Sequence, residues 1–116
     1  MADSRRDEAV AFLQKASNAL LAAQLMAGAK GEMAQSLFFH AQQALEDALR
    51  GYLTALGEPI KGKNITALLS RCAALNPAFI DVHLTKTDYP ETALAQAKHL
   101  YEVVKIHLPK EMKAEM

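Results

Sequence analysis

The sequence predicts an all-α protein, an antiparallel up-and-down helical bundle of four to five helices. Three observations carry that expectation. Apolar residues recur at three- and four-residue steps through three long segments, which is the spacing of one helix face. No segment shows the alternation of β-branched residues that marks a half-buried strand. Glycines and prolines cluster in the gaps, at Gly28 and Gly31, Gly57 and Pro59, Pro77, Pro90 and Pro109, where helices end or begin.

The first helix is expected from Ser4 to Ala27. Ala9, Leu13, Ala16, Leu20, Ala23 and Ala27 form its inward stripe. Ser4 is placed as the cap, Asp7 and Glu8 suit the positive end of the helix dipole, and Gly28 with Gly31 supplies the stop. The second helix runs from about Glu32 to Leu56, with Ala34, Phe38, Ala41, Leu45, Ala48 and Tyr52 inward and Gly57 at its end. Two long helices joined by a short turn form a hairpin.

The stretch "GEPIKGKN" breaks the pattern, and Asn64 caps a short helix through Leu75. Asn76 caps a one- or two-turn helix with Pro77 at its first position, where the missing N–H costs nothing. After "TKTDYP", the last helix spans about Glu91 to Leu108, with Ala93, Ala97, Leu100, Tyr101, Val104 and Leu108 inward and Pro109 as the stop. The tail "KEMKAEM" is expected to fray. The chain of 116 residues, 51% hydrophobic, is expected to form one domain over 1–116 with its ordered core over about 4–109.

Charge and cysteine content narrow the functional classes. Thirteen basic residues balance thirteen acidic ones, so a nucleic-acid or membrane-surface role would need a local basic patch. Every apolar segment is interrupted within a turn or two, far short of the roughly 20 residues a membrane span needs. Cys72 is the only cysteine and no leader pattern precedes the domain, from which a cytoplasmic setting is expected.

Motifs for cofactor chemistry do not emerge. No glutamate has a histidine three residues on, the arrangement by which one helix offers two ligands to a di-iron site. His40, His83, His99 and His107 have no partner at the four-residue zinc spacing. No phosphate loop and no strand-linked glycine fingerprint occurs, and no cofactor or metal is expected. Cys72, within "RCAAL", is either half of a Cys-His pair assembled in space or a buried structural thiol.

Two regions hold candidate binding residues. Lys61 and Lys63 precede the Asn64-capped helix, where positive charge and free backbone donors suit an anion; the other reading is a solvated basic loop. Tyr89 either stacks on a base or anchors the last helix. On the second helix, a projection at about 100 degrees per residue sets Phe39, Gln43, Glu46, Asp47 and Arg50 opposite the core stripe. Glu46 and Arg50 can pair across one turn, leaving Gln42 and Gln43 flanking the Phe39 ring. An aromatic ring rimmed by such groups resembles an interface core; contact with another helix of the same chain is the alternative.

With these elements placed, "FFHAQQALEDALRGYLTALGEPIKGKNITALLSRC" resembles the central signature of the HEPN domain, a nucleotide-binding-associated helical module of prokaryotes and higher eukaryotes. The most specific part is the aromatic-x-x-Gln-Gln-Ala-x-Glu pattern, met by Phe39, Gln42, Gln43, Ala44 and Glu46. The Gly57 helix end and the Leu68–Leu69 pair follow in order. "AVAFLQKASNALLAAQLM" is similar to the family's first helix, and "DYPETALAQAKHLYEVVKIHL" to its loop and last helix. The resemblance implies a bundle of four or five helices, commonly a homodimer, often encoded beside a small nucleotidyltransferase or within toxin-antitoxin systems.

The departures from the family pattern bear on activity. Ribonuclease members resemble one another in an Arg followed after four to six residues by His. None of Arg5, Arg6, Arg50 and Arg71 has a His at that distance. Asp47 stands where Lys is common, Asn64 where His is common and Asp88 where Arg is common. The leading expectation is a non-catalytic interaction or regulatory module, a homodimer acting with a partner such as a nucleotidyltransferase through Phe39, Gln42, Gln43, Glu46 and Arg50. The alternative is a nucleotide- or RNA-binding protein, including a divergent ribonuclease, that uses His40, Lys61, Lys63, Asn64 and Tyr89.

Overall fold

The structure is a computed structural model that describes residues 2–28, 30–60, 64–82, 84, 87 and 89–113. Its elements are α1 (Ala2–Leu25), α2 (Glu32–Ala55), α3 (Ile65–Leu75), a 3-10 turn (Pro77–Phe79), α4 (Pro90–His107) and a four-residue α5 (Lys110–Lys113). Among the described residues there is no strand, and the all-α bundle is as expected.

The helix ends follow local chemistry. After Leu25, two short backbone bonds, Met26 N–H to Ala23 and Ala27 N–H to Gln24, both 3.1 Å, tighten the last turn. Gly28 then adopts a left-handed φ of 84°, a conformation open to glycine without steric cost. At the end of α2, Gly57 has φ 77°, its N–H donates to Thr54 O at 3.0 Å, and Glu58 N–H reaches back to Leu53 O at 2.9 Å. That pair of bonds is a Schellman closure. Asn64 Oδ1 accepts from Ala67 N–H at 2.8 Å to start α3, and Asn76 Oδ1 accepts from Ala78 N–H at 2.9 Å to start the 3-10 turn.

Three expectations need correction. The helix begins at Ala2 rather than Ser4, since no glycine or proline precedes Ser4 to stop it, so Ser4 sits inside the first turn rather than capping it. Ala27 lies past the end of α1 and is exposed, because the tightened turn swings it off the buried stripe. The described part of the tail, 110–113, forms a short helical turn, in which Pro109 O accepts from Met112 N–H at 2.9 Å and Met112 is 3% exposed, while 114–116 lie outside the described residues. One apolar side chain is enough to dock that short turn on the core.

The core runs along the α1–α2 hairpin, the most extensive pairing in the molecule, and α4 covers a further side of α2. Ala9, Leu13, Ala16, Leu20 and Ala23 of α1 are all buried. Small residues let the two axes approach: a Cβ placed on Gly51 would lie 2.8 Å from both Cγ and Cδ2 of Leu13. At one end of the bundle Tyr52 packs on Phe79 with ring centroids 4.7 Å apart, and His107 stands 6.5 Å beyond. Tyr52 Oη accepts from Asn76 Nδ2 at 3.1 Å, which ties α2 to the end of α3.

Candidate interaction face of the second helix

The two neighbouring phenylalanines of α2 part company in the fold. Phe38 turns half-buried toward α3 and α4, whereas Phe39 is 65% exposed, because successive residues of a helix differ by about 100 degrees in direction. The Phe39 ring meets His40 edge-on, with centroids 5.6 Å apart. His40 itself is half-buried.

Around Phe39 lies a polar face whose members already hold one another. Arg50 Nη1 stands 3.5 Å from Glu46 Oε2 and 3.9 Å from Asp47 Oδ1, and Gln43 Nε2 donates to Asp47 Oδ2 at 3.0 Å. The expected Glu46–Arg50 pair is therefore present. Asp47 departs from its expected place on the outer surface: it is 3% exposed. One turn further along the same side of α2, Gly51 lies close against Leu13 and Phe12 of α1. The charge is tolerated there because Gln43 and Arg50 reach both carboxylate oxygens.

Beside the face opens a cleft of about 270 Å³. From α2 it takes Phe38, Ala41, Gln42 and Leu45, and α3 adds Ile65 and Thr66 at its first turn. The segment before α4 adds Leu84 and Thr87, and α4 closes the far wall with Ala93 and Gln96. Gln42 belongs to both the cleft and the outer face.

The described residues expected at a ligand site fall outside this cleft. His40, Asn64 and Tyr89 do not line it, although their sequence neighbours Ala41, Ile65 and Thr87 do. The Asn64 side chain is occupied in the α3 cap. Tyr89 heads α4 and is 70% exposed; its N–H donates to Thr87 Oγ1 at 3.0 Å, and its carbonyl accepts from Thr92 and Ala93 N–H. Lys61 and Lys63 lie outside the described residues.

Cys72 is a structural thiol. It is fully buried, with Sγ 4.0 Å from the Leu49 carbonyl oxygen, and burial pushes its pKa up from 9.0 to about 12. A thiol held protonated in this way is no nucleophile. Among the described residues no group of three His, Cys, Asp or Glu side chains is placed to hold a metal ion. Nor is any described helix long and apolar enough to cross a membrane.

Some features gave no signal in the sequence. Arg71 Nη2 pairs with Glu58 Oε2 at 2.8 Å across thirteen residues, and only the fold brings them together. Leu84 and Thr87 belong to a polar loop with no periodicity. Leu21, Leu25 and Met33, near the α1–α2 turn, are more than half exposed, and no helical stripe would mark them apart from core residues.

A long two-helix hairpin buttressed by α3 and α4, with an aromatic left out on the central helix, defines a small helical-bundle module. The family model of the HEPN domain matches residues 9–107, and the chain belongs to the HEPN domain family. No curated protein and no solved structure matches the chain.

Proposed function

We propose that this HEPN domain is a non-catalytic interaction or regulatory module that pairs with a second copy through the outer face of α2. The observation that carries the proposal is Phe39, 65% exposed at the centre of a surface whose charges are satisfied on their own helix. A ring of that size gains most by leaving water, and hot spots of protein interfaces are commonly aromatic or arginine anchors ringed by near-neutral contacts. Pre-paired Glu46, Asp47 and Arg50 cost little to bring against a second copy, because no unpaired charge needs to be desolvated. The sequence holds no Arg with a His five to seven positions on, and the one cysteine is a buried thiol whose pKa burial pushes up to about 12. Both support a role without catalysis.

Light scattering on the purified chain at tens of micromolar tests the pairing: a dimer mass is expected, with Phe39→Asp returning the monomer at unchanged helicity. A monomeric wild-type chain removes the homodimer. A small nucleotidyltransferase is the partner class that the family relationship suggests, and co-purification of such an enzyme with the wild-type chain but not with Phe39→Asp would place it on this face.

The second reading is a nucleotide- or RNA-end site around Tyr89, favoured by its exposed ring ahead of α4. Titration with ATP, GTP and short RNA at low salt separates the two. Binding that is lost when Lys61 and Lys63 are replaced by alanine supports this site, and no binding removes it.

A further inference from the structure

The outer face of α2 reads the same from either end. Phe39, Gln43, Glu46 and Arg50 follow one another at steps of four, three and four residues, which holds them on one stripe of the helix. Reversed, the same steps recur. A two-fold axis that crosses α2 at the level of Ala44 and Leu45 therefore brings Phe39 of one copy opposite Arg50 of the other, and Gln43 opposite Glu46.

Each of these meetings joins groups that suit one another. Arg50 Nη1 is held by Glu46 Oε2 at 3.5 Å and Asp47 Oδ1 at 3.9 Å, and 24% of the Arg50 side chain stays exposed. A planar cation fixed in this way can stack on an aromatic ring while keeping both ion pairs. Phe39, 65% exposed, lies about 16 Å along the helix from its own Arg50, at about 1.5 Å per residue, so only the Arg50 of a second copy can reach its ring. Gln43 gives one Nε2 proton to Asp47 Oδ2 at 3.0 Å; the amide carries a second, for which the Glu46 carboxylate of a second copy is an acceptor.

The opposite orientation fails on the same residues. With two α2 helices parallel and in register, Glu46 would face Glu46 and Arg50 would face Arg50, and like charges across an interface oppose it. We infer that two copies pair through antiparallel α2 helices, with each Phe39 stacked on the Arg50 of the other. This rests on the α2 pairing proposed above and adds to it an orientation, a register and Arg50 as the second anchor.

Subunit mixing tests the register. Phe39→Ala and Arg50→Ala are each expected to weaken self-association of the full chain at least about tenfold, since each removes both symmetry-related contacts. In a mixed dimer of one Phe39→Ala copy and one Arg50→Ala copy, Arg50 of the first still meets Phe39 of the second. Sedimentation of the mixture, with one variant labelled by a fluorophore at its N-terminus, is therefore expected to show mixed dimers tighter than those of either variant alone. If the two residues act separately, the mixed dimer lies midway between the variants, which overturns the inference. Arg50→Ala also takes a partner from the buried Asp47; should its helicity fall, Arg50→Lys keeps a charge beside Asp47, removes the planar group and enters the same mixing test. A monomeric wild-type chain removes the α2 pairing and this register together. A wild-type dimer that is indifferent to the Arg50 variants, or that shows no rescue on mixing, overturns the register and leaves the pairing in place.

Discussion

The two halves of α2 share one helix and have opposite fates. From Ala44 to Ala55 every residue is buried except Glu46 and Arg50; from Glu32 to Gln43 only Leu37 and Ala41 are. Hydrophobicity does not separate them, since Met33 and Phe39 lie in the open half. Neighbours do. The second half is met by the middle of α1 at Gly51, by Cys72 of α3 and Asn76 just after it, and by Phe79 of the 3-10 turn. The first half is covered on its inner sides alone, so its outer side, Phe39 included, is exposed. A helix with one stripe thus becomes an enclosed core element at one end and a largely exposed one at the other.

Substitutions should respond to that divide in order of how tightly each site is enclosed. The largest effect is expected at Gly51, where Gly51→Val drives a branched side chain against the buried Leu13 and costs about 3 kcal/mol in urea unfolding. An unchanged midpoint would mean that α1 and α2 approach less closely than they do here.

Cys72 reports on the same enclosed half. With its thiol pushed from 9.0 to about 12, alkylation in native conditions should run roughly a thousandfold slower than for a free cysteine, at one factor of ten per pH unit, and recover in denaturant. The unfolded thiol ionises above 9.0 while the folded one keeps its proton to about 12. The unfolded state therefore binds fewer protons in that window, and Cys72 lowers stability as pH rises through it. A Cys72→Ala chain should lose that component of the alkaline decline.

At the border between the halves, Asp47→Ala removes the acceptor of Gln43 and one partner of Arg50, for an expected loss of about 2 kcal/mol. Asp47→Asn keeps an acceptor for Gln43 and should cost less. Equal losses for the two would show that volume, not hydrogen bonding, holds the site. The smallest effect on stability belongs to Phe39→Asp, within about 0.5 kcal/mol as for an exposed position, although it is the substitution expected to abolish association. If it unfolds the chain instead, Phe39 serves this domain's own packing.

What could be foreseen follows the range of the interaction. The Asn64 and Asn76 caps, the Gly57 closure and the Glu46–Arg50 pair each span no more than five residues, and short-range geometry is written directly into residue type and spacing. The exposed position of Phe39 followed from periodicity as well. Asp47, Met112 and the Arg71–Glu58 bridge did not, because each depends on which distant element arrives beside it. The cleft was hidden for the same reason: its lining is drawn from segments separated by up to about half the chain, and two of its residues come from a loop without pattern.

By itself, then, the sequence determined the long helices, the caps and glycine stops between them, the α1–α2 hairpin and the stripe that joins them, though not the start of α1 or the turn after Pro109, because backbone hydrogen bonding and side-chain period act within a few residues. Tertiary structure alone decided which part of α2 is enclosed, that an aspartate is buried beneath its polar face, and that four neutral polar groups meet at one cleft. Those outcomes depend on how closely helices can approach, and at Gly51 that distance is set by the absence of a single side-chain carbon.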